Sequence, residues 1–194
     1  MKLKLLALLC FVSSTIIGQQ DFGRKLSNAA IALTENEVTY DGSYFSIPYP
    51  NGDIPADKGV CTDVIVRAYR TLEIDLQELV HQDMKANFHL YPKIWGLSKT
   101  DTNIDHRRVP NLMTYFKRFG TTKKMSENAT DYAPGDIVAW RLENGLTHIG
   151  VVVHKRSKDN KRYLISHNIG AGQVLDDCLF DFTIIGHYSF PKTP

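Results

Sequence analysis

Cysteine is scarce in this chain: of 194 residues only Cys10, Cys61 and Cys178 carry a thiol. That excludes a disulfide-dense scaffold, and the absence of any CxxC or HxxxH spacing removes the usual signatures of a zinc site. Neither sign of charge prevails, with 23 basic against 21 acidic residues. No basic run is long enough to track a phosphate backbone, so nucleic acid is not expected as a partner. Past the first residues no apolar run is long enough to cross a bilayer, and no stable membrane insertion is expected. Repeats, low-complexity tracts and interdomain linkers are lacking too. What is there is 43% hydrophobic, enough for one globular domain with its own core.

The opening MKLKLLALLCFVSSTIIGQQ joins Lys2 and Lys4 to an apolar stretch from Leu5 to Ile17 and a small residue at Gly18. This is the layout of a secretory leader, residues 1–18, with cleavage expected near Gly18. Residues 19–194 then form a single domain, secreted or periplasmic. A lipid on Cys10 fits less well, because the preceding Leu9 is bulky. Removal of the leader leaves Cys61 and Cys178. In an oxidising compartment they are free to bridge, although a core of this size does not require it.

Leu26, Ala29, Ala30 and Leu33 recur at helical spacing and predict an opening helix over about 22–36. A loop rich in Tyr, Pro, Gly and Asp, Thr39 to Gly59, leads to Cys61. Val64, Ile65, Ala68 and Leu72 then repeat at helix period, Asp75 is placed to start another helix, and Pro110 and Gly120 bracket a third. A helical insertion is therefore expected over about 75–125. From Pro134 the pattern changes to strands, GDIVAWRL, HIGVVVHKR, RYLISHNIG and FTIIGHYSF, giving a sheet over about 134–190. Helices segregated before antiparallel strands argue for an α+β domain.

Cys61 stands where its helix begins. A thiol reacts as thiolate, and a helix N-terminus favours negative charge through its unpaired N–H groups, which also suit the oxyanion of an attacked carbonyl. The alternative is a small buried hydrophobe. A nucleophile needs a base and a group to orient that base. His148 opens the strand HIGVVV, and Gly150 permits close approach by a neighbour. On the next strand, LISHNIG offers His167 and Asn168, of which only one can share the face of His148. His167 is the favoured third residue and Asn168 the alternate.

A cysteine at a helix start, then PGDIV, then HIG, then ISH resembles the NlpC-type branch of the papain-like cell-wall peptidases, related to the CHAP amidases. GVCTDVIVRAYR, NIDHRRVPNL, PGDIVAW, HIGVVV and HNIG together also resemble an uncharacterised family of bacterial secreted proteins within that superfamily. The resemblance implies a papain-like fold and a nucleophile Cys61, base His148 and orienting His167. It further implies hydrolysis of an amide in the peptide part of peptidoglycan through a thioester, with no metal or other cofactor. The segment between Cys61 and PGDIV is longer than a minimal member needs, so substrate choice does not carry over. A monomer is expected.

Arg107 and Arg108 have the right chemistry for a carboxylate-bearing substrate, against the commoner role of a structural pair with Asp101 or Asp105. Tyr40, Tyr44 and Tyr49 offer a groove wall, with Tyr44 as a substrate contact, or aromatic packing. Asp63 reads as a helix cap. Three rivals stand beside the hydrolase. One is an acyltransferase using the same thiol, another a noncatalytic envelope-binding module with Cys61 and Cys178 bridged. The third is a zinc site of Cys61, His148 and His167.

Overall fold

The structure, a computed structural model, describes residues 21–191. The expected leader, residues 1–18, lies outside them. In chain order the elements are helix α1 (21–32), strands β1 (Thr39–Tyr40) and β2 (Lys58–Gly59), and helices α2 (Cys61–Arg70), α3 (Leu76–Ala86) and α4 (Val109–Phe119). Strands β3 (Thr121–Thr122), β4 (Ile137–Arg141), β5 (Thr147–Arg156), β6 (Tyr163–His167), β7 (Val174–Asp176) and β8 (Thr183–Ser189) follow. The domain is α+β, with four helices among the described residues preceding a six-stranded sheet in the order β3-β8-β4-β5-β6-β7. Every neighbouring pair in that sheet is antiparallel.

Local chemistry sets the helix ends. The Asp75 side chain accepts a hydrogen bond from the Gln77 N–H at 2.9 Å and so caps α3. Pro110 sits in the first turn of α4, where its missing N–H costs no helical bond, and Gly120 closes that helix.

The sheet divides the apolar residues by parity. Ile137, Ala139, Ile149, Val151 and Val153 face the helices and join Leu26, Ile65, Tyr69, Leu112 and Phe116 in the larger core. Val138, Trp140, Val152 and Ile165 face the other way, under the segment that carries Cys178 and Leu179. Trp140 donates its indole N–H to the Leu179 carbonyl at 3.0 Å, pinning that segment over the second face. At its other end the sheet is braced by Asp136. This buried carboxylate accepts hydrogen bonds from Lys123 Nζ at 2.6 Å and from the Ala133 N–H at 2.9 Å, and pairs with His187 Nε2 at 2.8 Å.

Candidate active site

Cys61 is the first residue of α2, which packs against β5. The Val152 N–H donates to Asp136 and the Val152 carbonyl accepts from Gly135, so the backbone at position 152 faces β4. Antiparallel alternation then turns the Ile149 N–H to the opposite edge, towards β6. But β6 stops at His167, and Asn168 leaves the strand to donate its side-chain amide to the Gly59 carbonyl at 3.1 Å. The N–H left over at Ile149 favours the charged form of the Cys61 thiol. The thiol thus sits at the open edge of β5, beside the residue that follows His148.

His148 pairs with Trp140 across β4 and β5, and the two rings stack at 5.8 Å. Its Nε2 is 2.8 Å from His167 Nδ1, the two imidazoles being joined edge to face. Gly150 makes this approach possible, since a Cβ there would lie 2.5 Å from Ile165 Cγ2 and 3.2 Å from His167 Cβ. The alternation between His167 and Asn168 resolves as one residue per face: His167 meets His148, and Asn168 serves the loop ahead of Cys61. Beyond His167, its Nε2 is 3.8 Å from Cys178 Sγ and 3.8 Å from Asp176 Oδ2. Among the described residues no hydrogen bond joins the Cys61 sulfur to either imidazole, and His148 Nδ1 has no hydrogen-bond partner.

The thiol is not activated at rest. Cys61 is 7% exposed. Burial pushes it up to about 12, and the carboxylate of Asp63 adds to the rise despite the Ile149, Thr62 and Cys61 N–H groups around the sulfur. Burial likewise pushes His148 down to about 3, helped by His167. The expected lowering by the helix terminus is therefore outweighed, and the pair rests as neutral thiol and neutral imidazole. Tyr40 stands near the same helix start: β1 and β2 pair Tyr40 with Gly59, and the phenol is raised first by burial and then by Cys61 and Asp63.

The two arginines are placed differently from a free carboxylate clamp. Arg107 is buried and forks onto Asp63, Nε to Oδ1 at 2.9 Å and a second N–H to Oδ2 at 3.0 Å, while also donating to the Ser43 and Asp41 carbonyls. The contacts it makes here are structural, with Asp63 rather than Asp101 or Asp105 as partner. Asp63 also accepts from the Val60 N–H at 2.7 Å, so the same carboxylate caps α2. Arg108 stacks over Trp95 at 4.3 Å, with a nitrogen 3.9 Å from Asp105. The Tyr44 hydroxyl donates to Asp101 at 3.0 Å and accepts from the Asn103 amide at 2.6 Å, tying the approach loop to the 101–103 turn.

Cys61 and Cys178 are both free, and they belong to the cores on opposite faces of the sheet, so the bridged module is not what the structure contains. The zinc reading is corrected as well. The cluster with metal-ligand spacing is His167, Asp176 and Cys178, without Cys61 or His148. Sequence reasoning missed Asp176 and saw Cys178 only as a bridge partner. The available signal was their separation by two positions, which puts both side chains on one face of an extended chain. A groove of about 550 Å³ lined by Asp53, Arg67, Arg70 and Gln173 opens towards the far end of α2 and does not include the thiol.

A family model described as "Domain of unknown function (DUF1287)" matches residues 27–190. The chain is 52% identical over 151 residues to "Uncharacterized protein YijF" of Escherichia coli (strain K12), an alignment covering 78% of this chain and 73% of that protein. Among solved structures it is similar to "Structure of NlpC1 from Trichomonas vaginalis" at 16% identity and a TM-score of 0.44. That match covers 86% of this chain and 44% of the other, so the chain spans less than half the length of that protein.

Proposed function

The chain belongs to the DUF1287 family of domains of unknown function, and on that footing we propose that it is a thiol hydrolase that cuts an amide in the peptide part of peptidoglycan. One observation carries the reading. A buried imidazole pair, His148 Nε2 to His167 Nδ1 at 2.8 Å, is carried at the end of β5 whose next residue, Ile149, contributes the N–H that favours the Cys61 thiolate from the opposite face of the sheet. The substrate class comes from the resemblance of the Cys61, PGDIV, HIG and ISH motifs to cell-wall peptidases. Export through the leader is the matching expectation for the compartment.

The productive tautomer follows from the geometry. With its hydrogen on Nε2, His167 accepts at Nδ1 from His148 Nε2–H, which leaves His148 Nδ1 as the basic nitrogen. Because thiol and imidazole are both neutral at rest, proton transfer accompanies attack instead of preceding it. The sulfur bonds to the carbonyl carbon as its proton passes to His148. The proton then goes to the leaving amine as the C–N bond breaks, and water, deprotonated by His148, releases the acid and restores the thiol. The N–H groups of Cys61 and Thr62 at the helix start are the donors for the oxyanion. Access and proton transfer both require movement, since Cys61 is 7% exposed and, among the described residues, no hydrogen bond joins it to His148 at rest.

Digestion of purified peptidoglycan by wild type and Cys61→Ala tests this. Soluble peptide fragments are expected from wild type and none from the variant, with both melting alike. Fragments released equally by both, or by neither, would overturn the reading. Burial of the sulfur also favours transfer of the acyl group to an amine in place of water. Digestion with an added amine separates the two by whether the product is an acid or an amide.

A further inference from the structure

We propose that His167, Asp176 and Cys178 form a binding site for a divalent transition metal of the zinc class. The three side chains come from two adjacent strands. β6 supplies His167 at its end, and β7 with the residue two beyond its end supplies Asp176 and Cys178, the pairing Ile165↔Asp176 setting the carboxylate on the face that also carries His167. The ligand atoms lie within 4.8 Å of one another, with His167 Nε2 at 3.8 Å from both Cys178 Sγ and Asp176 Oδ2.

Those spacings are close to what the ion needs. With Zn–S of about 2.3 Å and Zn–N or Zn–O of about 2.0–2.1 Å, a tetrahedral centre puts nitrogen about 3.6 Å from sulfur and about 3.3 Å from oxygen. Contraction by a few tenths of an ångström brings His167 to both partners, Cys178 and Asp176 draw together from within 4.8 Å, and one corner is left for water. A thiolate, an imidazole and a carboxylate suit zinc rather than calcium or magnesium, which prefer all-oxygen sets. The other ring nitrogen of a metal-bound histidine normally has a fixed partner, and here His167 Nδ1 has one, His148 Nε2 at 2.8 Å. There is also an entry path, since Cys178 and His167 are buried while the Asp176 side chain is 60% exposed. On binding, Cys178 releases its thiol proton to solvent.

Occupancy has a consequence that rests on the proposed hydrolase. A metal on His167 Nε2 obliges Nδ1 to carry the hydrogen and to donate it to His148 Nε2. His148 then holds its own hydrogen on Nδ1, the nitrogen required as base. Zinc bound here therefore inhibits.

The test is a titration of the metal-free wild-type protein with Zn²⁺ against a chromophoric indicator, with Co²⁺ as a spectroscopic substitute. One equivalent should bind, and the cobalt form should show a thiolate charge-transfer band that is absent from Cys178→Ser. The exposed Asp176→Asn, which keeps the shape of the side chain, should bind at least about 10-fold more weakly, the lower end of what even an outer partner of a metal site is worth. Wild type that binds no zinc, or binds it equally well as Asp176→Asn and Cys178→Ser, overturns the site. Peptidoglycan digestion is read separately. Binding accompanied by loss of fragment release supports site and inhibition together. Binding with undiminished release supports the site and overturns the inhibition, and binding with no hydrolysis at any zinc level retains the site and refutes the hydrolase.

Discussion

Arg107 and Asp63 meet across 44 residues of chain through two hydrogen bonds, with side chains 2% and 4% exposed. Removing one partner of such a pair leaves the other charged and dry, at a cost of about 3–5 kcal/mol. Arg107→Ala is therefore expected to lower the melting temperature strongly and to loosen the start of α2, whose Val60 N–H is also held by Asp63. Arg107→Lys should recover little, because an ammonium cannot fork onto both carboxylate oxygens. Thermal melts with a KM measurement decide between this role and substrate recognition. An Arg107→Ala protein that melts like wild type and differs only in KM would restore the arginine to the binding surface. The partner was beyond sequence reading, which weighed Asp101 and Asp105 because they are near in the chain; folding brought in Asp63 instead.

Strands β5 and β6 hold the two imidazoles together, and Gly150 sets how closely they lie. A methyl group at position 150 would sit 2.5 Å from Ile165 Cγ2 and 3.1 Å from the Ser166 carbonyl, so β6 has to move outward. Gly150→Ala is expected to cost about 1–3 kcal/mol through this overpacking. It should also reduce hydrolysis beyond what the stability loss explains, because His167 travels with β6. Denaturant melts together with fragment release measure both, and wild-type values in each would show that β6 yields without carrying His167 away. At this scale much was legible. The helix starts at Cys61, Asp75 and Val109 and the strands through HIGVVVHKR and LISH follow from caps, turns and period-two alternation, which are local signals. β7 was not, since the three residues Val174–Asp176 are too few to show a period. Alternation said that His167 and Asn168 must part; only the register of β6 showed that His148 takes the former.

The molecule as a whole buries neutral histidines and thiols on both faces of its sheet, and this fixes how its stability depends on pH. His148 and His106 are both pushed down to about 3, the first by burial and His167, the second by burial and the guanidinium groups of Arg107 and Arg70. A group whose pKa is lower folded than unfolded contributes stability above its unfolded value, near 6.5, and loses it as pH falls towards 3. The slope is at most about 1.4 kcal/mol per pH unit for each imidazole. Asp105 acts oppositely: burial raises it to about 6, so it gains the folded state some stability as pH drops from 6 to its ordinary 3.8. Two histidines outweigh one aspartate, and acid unfolding should begin below about pH 6. On the alkaline side burial raises Cys61 and Cys178 to about 12, so their contribution is complete below the ordinary thiol value of 9.0 and is lost as pH climbs from there. Urea unfolding between pH 4 and 11 should therefore give a plateau near pH 7–9 that falls on both sides. His106→Gln, with one titrating imidazole removed, should flatten the acid limb relative to wild type when both are normalised to pH 8. Stability that stays constant from pH 7 to pH 4 would mean that water reaches these imidazoles in the resting fold, His148 among them.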